Sequence, residues 1–318
     1  MCKNDQDQVI TAAQNPQVLE LLQTHLAGGI SRRDFIVRAG MILSGVAVGA
    51  SLNPVGALRV KAQDSTATPS PTPPSPVGVT DLGDPTVKLI TRAVAFPAGE
   101  LTVPGYLAHP EGEGPFPGVV VIQEWWGVDD HIKSVVELMA RHGFAVLAPD
   151  LYHGEVAEEP NEARKLAMAL IMSQAIQDVQ GAADYLTNMD IVQPKKVGVM
   201  GFCMGGRIAM QMSWDGQENI GAVASFYGGG LNPTDAQFEA VKVPVLSLYG
   251  DQDGGIPIAS IREWEAKFKT FNKINETVIY EGAPHAFFND TRPSYRPEAA
   301  KDALARLLVW FERYLKEA

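Results

Sequence analysis

One short stretch combines residue types and spacing that suit covalent chemistry: Gly201-Phe202-Cys203-Met204-Gly205-Gly206. Glycines two before and two after a central nucleophile form the elbow written G-x-S-x-G, here with cysteine in place of serine. Such an elbow holds the nucleophile in a strained turn between strand and helix, and small neighbours let the helix pack close to the strand. A thiol there needs a base, a carboxylate to orient the base, and donors for charge developing on a carbonyl oxygen. Two later segments can supply the first two. Asp251-Gln252-Asp253-Gly254-Gly255-Ile256-Pro257 follows the apolar run "VPVLSLYG", and Ala283-Pro284-His285-Ala286-Phe287 follows "TVIYEG". Imidazole titrates near neutrality, so His285 can take a thiol proton while a carboxylate fixes its tautomer. Of the two aspartates, the spacing G-x-x-D-x-x-I-P favours Asp253 over Asp251.

The remaining histidines offer less. His25, His109, His131 and His142 read as surface or packing residues, whereas His153 follows a strand and could line a pocket, although it precedes Cys203 in the chain. No His/Cys/Asp cluster has metal-ligand spacing, so neither a metal nor another cofactor is expected.

These residues need a frame. From about residue 86, short apolar segments alternate with amphipathic ones, the pattern of an α/β sheet with helices on both faces. Eight strand candidates are "VKLITRAVAF", "LTVPGYLAH", "GVVVIQ", "FAVLAP", "KVGVM", "GAVASFYG", "VPVLSLYG" and "ETVIYEG". The middle ones are apolar throughout, as parallel strands covered on both sides should be. Ile132, Val135, Val136 and Met139 share one helix face, as do Leu304, Leu307, Leu308, Phe311 and Leu315. Residues 161–188 read as a further helix, with a break allowed. An elbow after the fifth strand, and the order nucleophile, acid, histidine, match the α/β-hydrolase plan: a mostly parallel eight-stranded sheet with helices on both faces. In such sheets the site lies beyond the carboxyl ends of the strands.

Composition narrows the function. The 318 residues are 46% hydrophobic and 20% charged, ordinary for a globular enzyme. A formal charge of -11 argues against a nucleic-acid partner, which calls for a basic face. The N-terminus departs from this pattern. Arg32-Arg33 and Phe35-Ile36 precede an apolar stretch from about Met41 to Leu52, which resembles a twin-arginine export signal and is too short to span a membrane. The expected organisation is therefore an export signal over 1–62, cleaved after Ala62 or alternatively after Ala50 or Ala57, then a Pro/Ser/Thr-rich linker over 63–85 and a catalytic domain over 86–318. An uncleaved anchor is the alternative for the first segment. The expected partners are the Tat export machinery and a small-molecule ester or lactone. The expected location is the periplasm, cell envelope or exterior, with no stable membrane insertion of the mature domain; oligomeric state is left open. Loss of Cys2 with the signal would leave Cys203 as the only cysteine, excluding an internal disulfide.

Four separated segments carry a specific resemblance: Gln123-Glu124-Trp125-Trp126-Gly127, Pro149-Asp150-Leu151-Tyr152, the Cys203 elbow, and Gly282-Ala283-Pro284-His285-Ala286-Phe287. In order and on these elements they resemble the dienelactone hydrolase family, from about residue 87 to the C-terminus. The resemblance implies cleavage of small esters or lactones through a Cys203-Asp253-His285 triad and an acyl-cysteine intermediate. It also implies that Glu124 contacts the resting cysteine and, once substrate displaces it, helps take the thiol proton. The backbone N–H groups of Met204 and Trp125 fall at the family's oxyanion positions. Trp126 and Tyr152 are expected at the substrate wall, with Asn289 where family members that open dienelactones place a carboxylate-binding arginine, four residues after the histidine. Arg292 is nearby, and Arg164 lies in the helical region that supplies a second arginine in the family. Other uses of the same residues are thioester or peptide cleavage, a peroxide-sensing thiol, or an inactive binding module on a proline-rich tether.

Overall fold

The computed structural model describes residues 78–316 and, in the N-terminal segment, residues 20, 21 and 24. Apart from those three residues, the expected export signal with Cys2, and most of the expected linker, lie outside the described residues.

The sheet forms where apolar runs are long enough to be buried on both faces. Its strands are β1 (Leu89–Ala98), β2 (Leu101–Pro110), β3 (Phe116–Ile122), β4 (Ala145–Pro149), β5 (Val192–Phe202), β6 (Ile220–Phe226), β7 (Val245–Gly250) and β8 (Asn275–Tyr280). They lie in the order β1-β2-β4-β3-β5-β6-β7-β8. β1 and β2 form an antiparallel hairpin, and β2 runs antiparallel to β4. All pairs from β4 through β3 to β8 are parallel. Every residue of β4 and β7 is buried, as are Val119–Ile122 of β3, which explains why these strands show no alternation of polar and apolar residues.

The helices are α1 (Asp130–Arg141), α2 (Pro160–Ala169), α3 (Met172–Asn188), α4 (Met204–Asp215), α5 (Asp235–Ala240), α6 (Ile258–Thr270) and α7 (Pro297–Lys316). Asp129 caps α1 by accepting from Ile132 N, and Ile132, Val135, Val136 and Met139 are all buried, as their spacing requires. Leu304, Leu307, Leu308, Phe311 and Leu315 of α7 are likewise buried. The segment over 161–188 does break, between α2 and α3, where Leu170 and Ile171 take extended backbone with no glycine or proline to mark the spot. This arrangement is the α/β-hydrolase fold.

Two boundaries differ from the sequence reading. The fifth strand extends well beyond "KVGVM", because the polar residues before it continue the extended backbone to Val192. The end of the supposed linker is also part of the packed domain. Val79–Leu82 form a 3-10 turn with Val79 fully buried, and Thr80 donates from its backbone N (2.9 Å) and hydroxyl (2.5 Å) to Asp290 Oδ2. One apolar side chain and one carboxylate far along the chain hold this turn, and local composition shows neither.

Candidate active site

Phe202 ends β5 and Met204 begins α4, so Cys203 sits alone at the strand-to-helix turn. Its φ of 55° and ψ of -113° lie outside the regions that a non-glycine residue prefers, so the backbone is strained where a nucleophile elbow requires it. Two hydrogen bonds hold the turn: Cys203 N donates to Phe226 O at 3.0 Å, and Arg207 N donates to Cys203 O at 3.1 Å. The flanking glycines are steric necessities. A Cβ on Gly201 would strike the carbonyl of Gly205, and one on Gly205 would strike the carbonyls of Ile122 and Gln123.

The loops after β7 and β8 bring the other predicted groups to this turn. His285 Nδ1 lies 2.5 Å from Asp253 Oδ2, and Asp253 Oδ1 accepts from Gly255 N at 2.9 Å. Asp253 is buried while His285 is partly exposed to the cavity. Burial works against a charged imidazole here. Hydrogen bonds that His285 donates to Asp253 and Cys203, together with the negative charges of those groups, outweigh it and raise the His285 pKa to about 10. Cys203, His285 and Asp253 therefore form one hydrogen-bonded chain. Asp251 is engaged elsewhere, accepting from Gly282 N at 2.7 Å.

These residues open onto a cavity of about 640 Å³ lined by, among others, Trp125, Ala167, Cys203, Met204, Arg207, Tyr227, Asp253, Ile256 and His285. Met204 N–H belongs to the first turn of α4, where helical amides lack an intrahelical acceptor, and Trp125 follows β3 on the opposite rim. Both can present amides to an oxygen bound at Cys203.

The expected substrate wall is placed differently. Asn289 does not line the cavity: it is fully buried, donates to Glu124 Oε2 at 2.9 Å, and accepts from Thr291. Tyr152 is buried behind the wall, its hydroxyl donating to Trp125 O at 3.1 Å. Trp126 stands edge-on to Trp125 and carries the Arg292 guanidinium 4.1 Å above its ring, outside the cavity lining. In each case a hydrogen-bond or ring partner far along the chain decides the direction of the side chain. His153 pairs with Asp178 at 3.1 Å, and the buried His131 faces Asp290 at 3.3 Å; neither lines the cavity. Arg164 is exposed on α2.

Glu124 is buried in the turn after β3, where its charge and that of Cys203 both act on Tyr227, and its hydrogen bonds do not go to the sulfur. Oε1 accepts from Tyr227 Oη at 3.3 Å and Oε2 from Asn289. The thiol's side-chain bond is instead to His285. This resting arrangement departs from the Glu124–cysteine contact that the resemblance implies.

Sequence reasoning missed two residues. Tyr227 follows β6 directly, so the rule that sends one to the carboxyl ends of strands reaches it. Arg207 stands four residues after Cys203 on α4, one helical turn away, so it shares Cys203's side of the helix. Among the described residues Arg207 has no ion pair, and its Nε is buried without a hydrogen-bond partner.

Residues 103–315 match the family model described as "Dienelactone hydrolase family". The chain belongs to the dienelactone hydrolase family. The "Putative carboxymethylenebutenolidase" of Methylorubrum extorquens is 34% identical over 240 residues, covering 71% of this chain and 82% of that protein. A Synechocystis protein of the same name is 32% identical over 247 residues, covering 73% and 100%. The solved "Putative Dienelactone Hydrolase" of Klebsiella pneumoniae superposes with a TM-score of 0.66 at 29% identity, over 71% of this chain and all of that one. Like other members of the dienelactone hydrolase family, the chain is a hydrolase of ester or lactone bonds. Among its described residues there is no group of three or more His, Cys, Asp and Glu side chains that could hold a metal ion, and no helix is long and apolar enough to cross a membrane.

Proposed function

We propose that this member of the dienelactone hydrolase family cleaves small esters or lactones by acyl transfer to Cys203. The observation that carries the reading is the hydrogen-bonded chain from the strained Cys203 through His285 to Asp253, opening onto an apolar cavity. His285 takes the thiol proton, and the thiolate attacks the carbonyl carbon. The tetrahedral oxyanion is met by the N–H groups of Met204 and Trp125. The imidazolium gives its proton to the leaving alkoxide, which departs and leaves an acyl-cysteine. Water, deprotonated by His285, then attacks the acyl carbon; the acid is released and the thiol restored. Asp253 holds the imidazole tautomer and balances its charge throughout. Glu124 stays held by Tyr227 and Asn289 in the resting state, which supports His285 as the group that takes the thiol proton.

The test is mass spectrometry of protein quenched during turnover of a slow aryl ester. The expected result is an acyl adduct on Cys203 that is absent from Cys203→Ala. Turnover with no adduct, and full activity in that variant, would remove the covalent mechanism. The proposal extends to location: Arg32-Arg33 before the apolar run supports export through the twin-arginine route. Replacing both with Lys is expected to retain precursor in the cytoplasm, and normal processing of that variant would refute the route.

A further inference from the structure

A buried carboxylate next to a reactive thiol poses an electrostatic problem, because a negative charge close to the sulfur disfavours thiolate. Glu124 is buried, and its two oxygens are held by two neutral donors, Asn289 at 2.9 Å and Tyr227 at 3.3 Å. Burial, then the charges of Glu124 and Cys203 and the bond to Glu124, push the Tyr227 phenol well above its ordinary pKa, so it stays protonated and donates. Its ring also meets His285 edge-on with centroids 5.1 Å apart.

Tyr227 is fully buried and has a φ of 40°, a left-handed conformation that a bulky residue adopts only under constraint. The titratable groups around it are Glu124 from the turn after β3, Cys203 from the elbow, and His285 with Asp253 behind it.

We propose that Tyr227 is a positioning residue whose hydroxyl, with Asn289, parks the Glu124 carboxylate away from Cys203 so that the Cys203–His285 pair can separate charge. The bond from Asn289 is the shorter and holds the carboxylate at Oε2. Tyr227 holds Oε1 by the longer bond, and losing it frees that oxygen to turn toward the sulfur. The role rests on Cys203 being the nucleophile.

Tyr227→Phe is a clean test, since it keeps the ring, its packing and the backbone demand and removes one oxygen. Iodoacetamide alkylation of Cys203 is followed against pH in wild type, Tyr227→Phe, Glu124→Gln and the double variant. At pH 6 the Tyr227→Phe thiol is expected to react about tenfold more slowly, the loss that follows from one hydrogen bond to a charged group, with the pH profile moved upward. In the Glu124→Gln background the same substitution is expected to change little, because the charge it restrains is gone. A Tyr227→Phe profile superimposable on wild type would overturn the proposal, and so would an equal slowing in both backgrounds. An acyl adduct on Cys203 together with either of those results removes the parking role alone. No adduct, with full turnover in Cys203→Ala, removes the nucleophile reading and this role with it.

Discussion

Cys203 stands between two carboxylates that the fold treats in opposite ways. On one side Asp253 reaches the sulfur only through His285, and its charge is balanced by the imidazolium it holds. On the other, Glu124 has no cation among its hydrogen-bond partners and is restrained by a phenol and an amide. The same functional group thus promotes charge separation when a proton carrier stands between it and the thiol. Without a carrier it has to be tied back. What separates the roles is the intervening partner, since both carboxylates are buried.

The harshest way to break the comparison is to remove the groups on the Asp253 side. Cys203→Ala is expected to abolish ester hydrolysis with the fold intact, and His285→Ala to cost nearly as much, on the order of 10³-fold or more in kcat. The double variant should lose no more than either single one, because the two act as a unit; additive losses measured in steady-state assays would separate them.

A smaller effect is expected at Arg207, the one arginine of the cavity wall among the described residues. Arg207 has no ion pair among the described residues, so esters carrying a carboxylate can use its guanidinium, and Arg207→Gln should raise KM for such esters about tenfold while sparing neutral ones of the same shape. Equal losses for both esters would assign Arg207 a structural role.

The pH behaviour sharpens the contrast further. His285 is raised from 6.5 to about 10 on folding, so its protonated form stabilises the native state. That contribution is complete below pH 6.5 and is lost as pH rises through about 10. Ring NMR should show an imidazolium at pH 8 in wild type and a lower transition in Cys203→Ala, which lacks the sulfur's bond and charge. The smallest change is expected from Glu124→Gln, with kcat within about threefold of wild type, since a parked carboxylate takes no proton. A collapse of turnover in that variant would reinstate Glu124 as the base.

The Asp253 side was readable in the sequence and the Glu124 side only in part. Cys203 after the fifth strand, Asp253 after the seventh and His285 after the eighth form a one-dimensional order, and the elbow glycines are required by local close approach, so both survive projection onto a string. The sheet was legible for the same reason, since buried parallel strands declare themselves by unbroken apolar runs. Asn289, Tyr152 and Trp126 read as pocket residues from sequence because they follow strands or stand at family positions. Their directions are set by Glu124, Trp125 and Arg292, contacts of long sequence separation that no local spacing encodes. Tyr227 and Arg207 are within reach of simple rules, one after a strand and one a helical turn beyond Cys203. Nothing in their immediate neighbours singled them out.

The turn at Val79–Leu82 bears on how the domain can be cut. Asp290, which takes two hydrogen bonds from Thr80 and faces His131, is the residue directly after Asn289. A fragment starting where the family match begins, at residue 103, or where the proline-rich composition ends, near residue 86, would discard the donors that steady that loop. Protease trimming in the same interval would do likewise, leaving the sheet whole while loosening the loop that restrains Glu124. The shortest faithful fragment therefore begins no later than Gly78, which itself lies against Asp290 in the loop that carries Asn289.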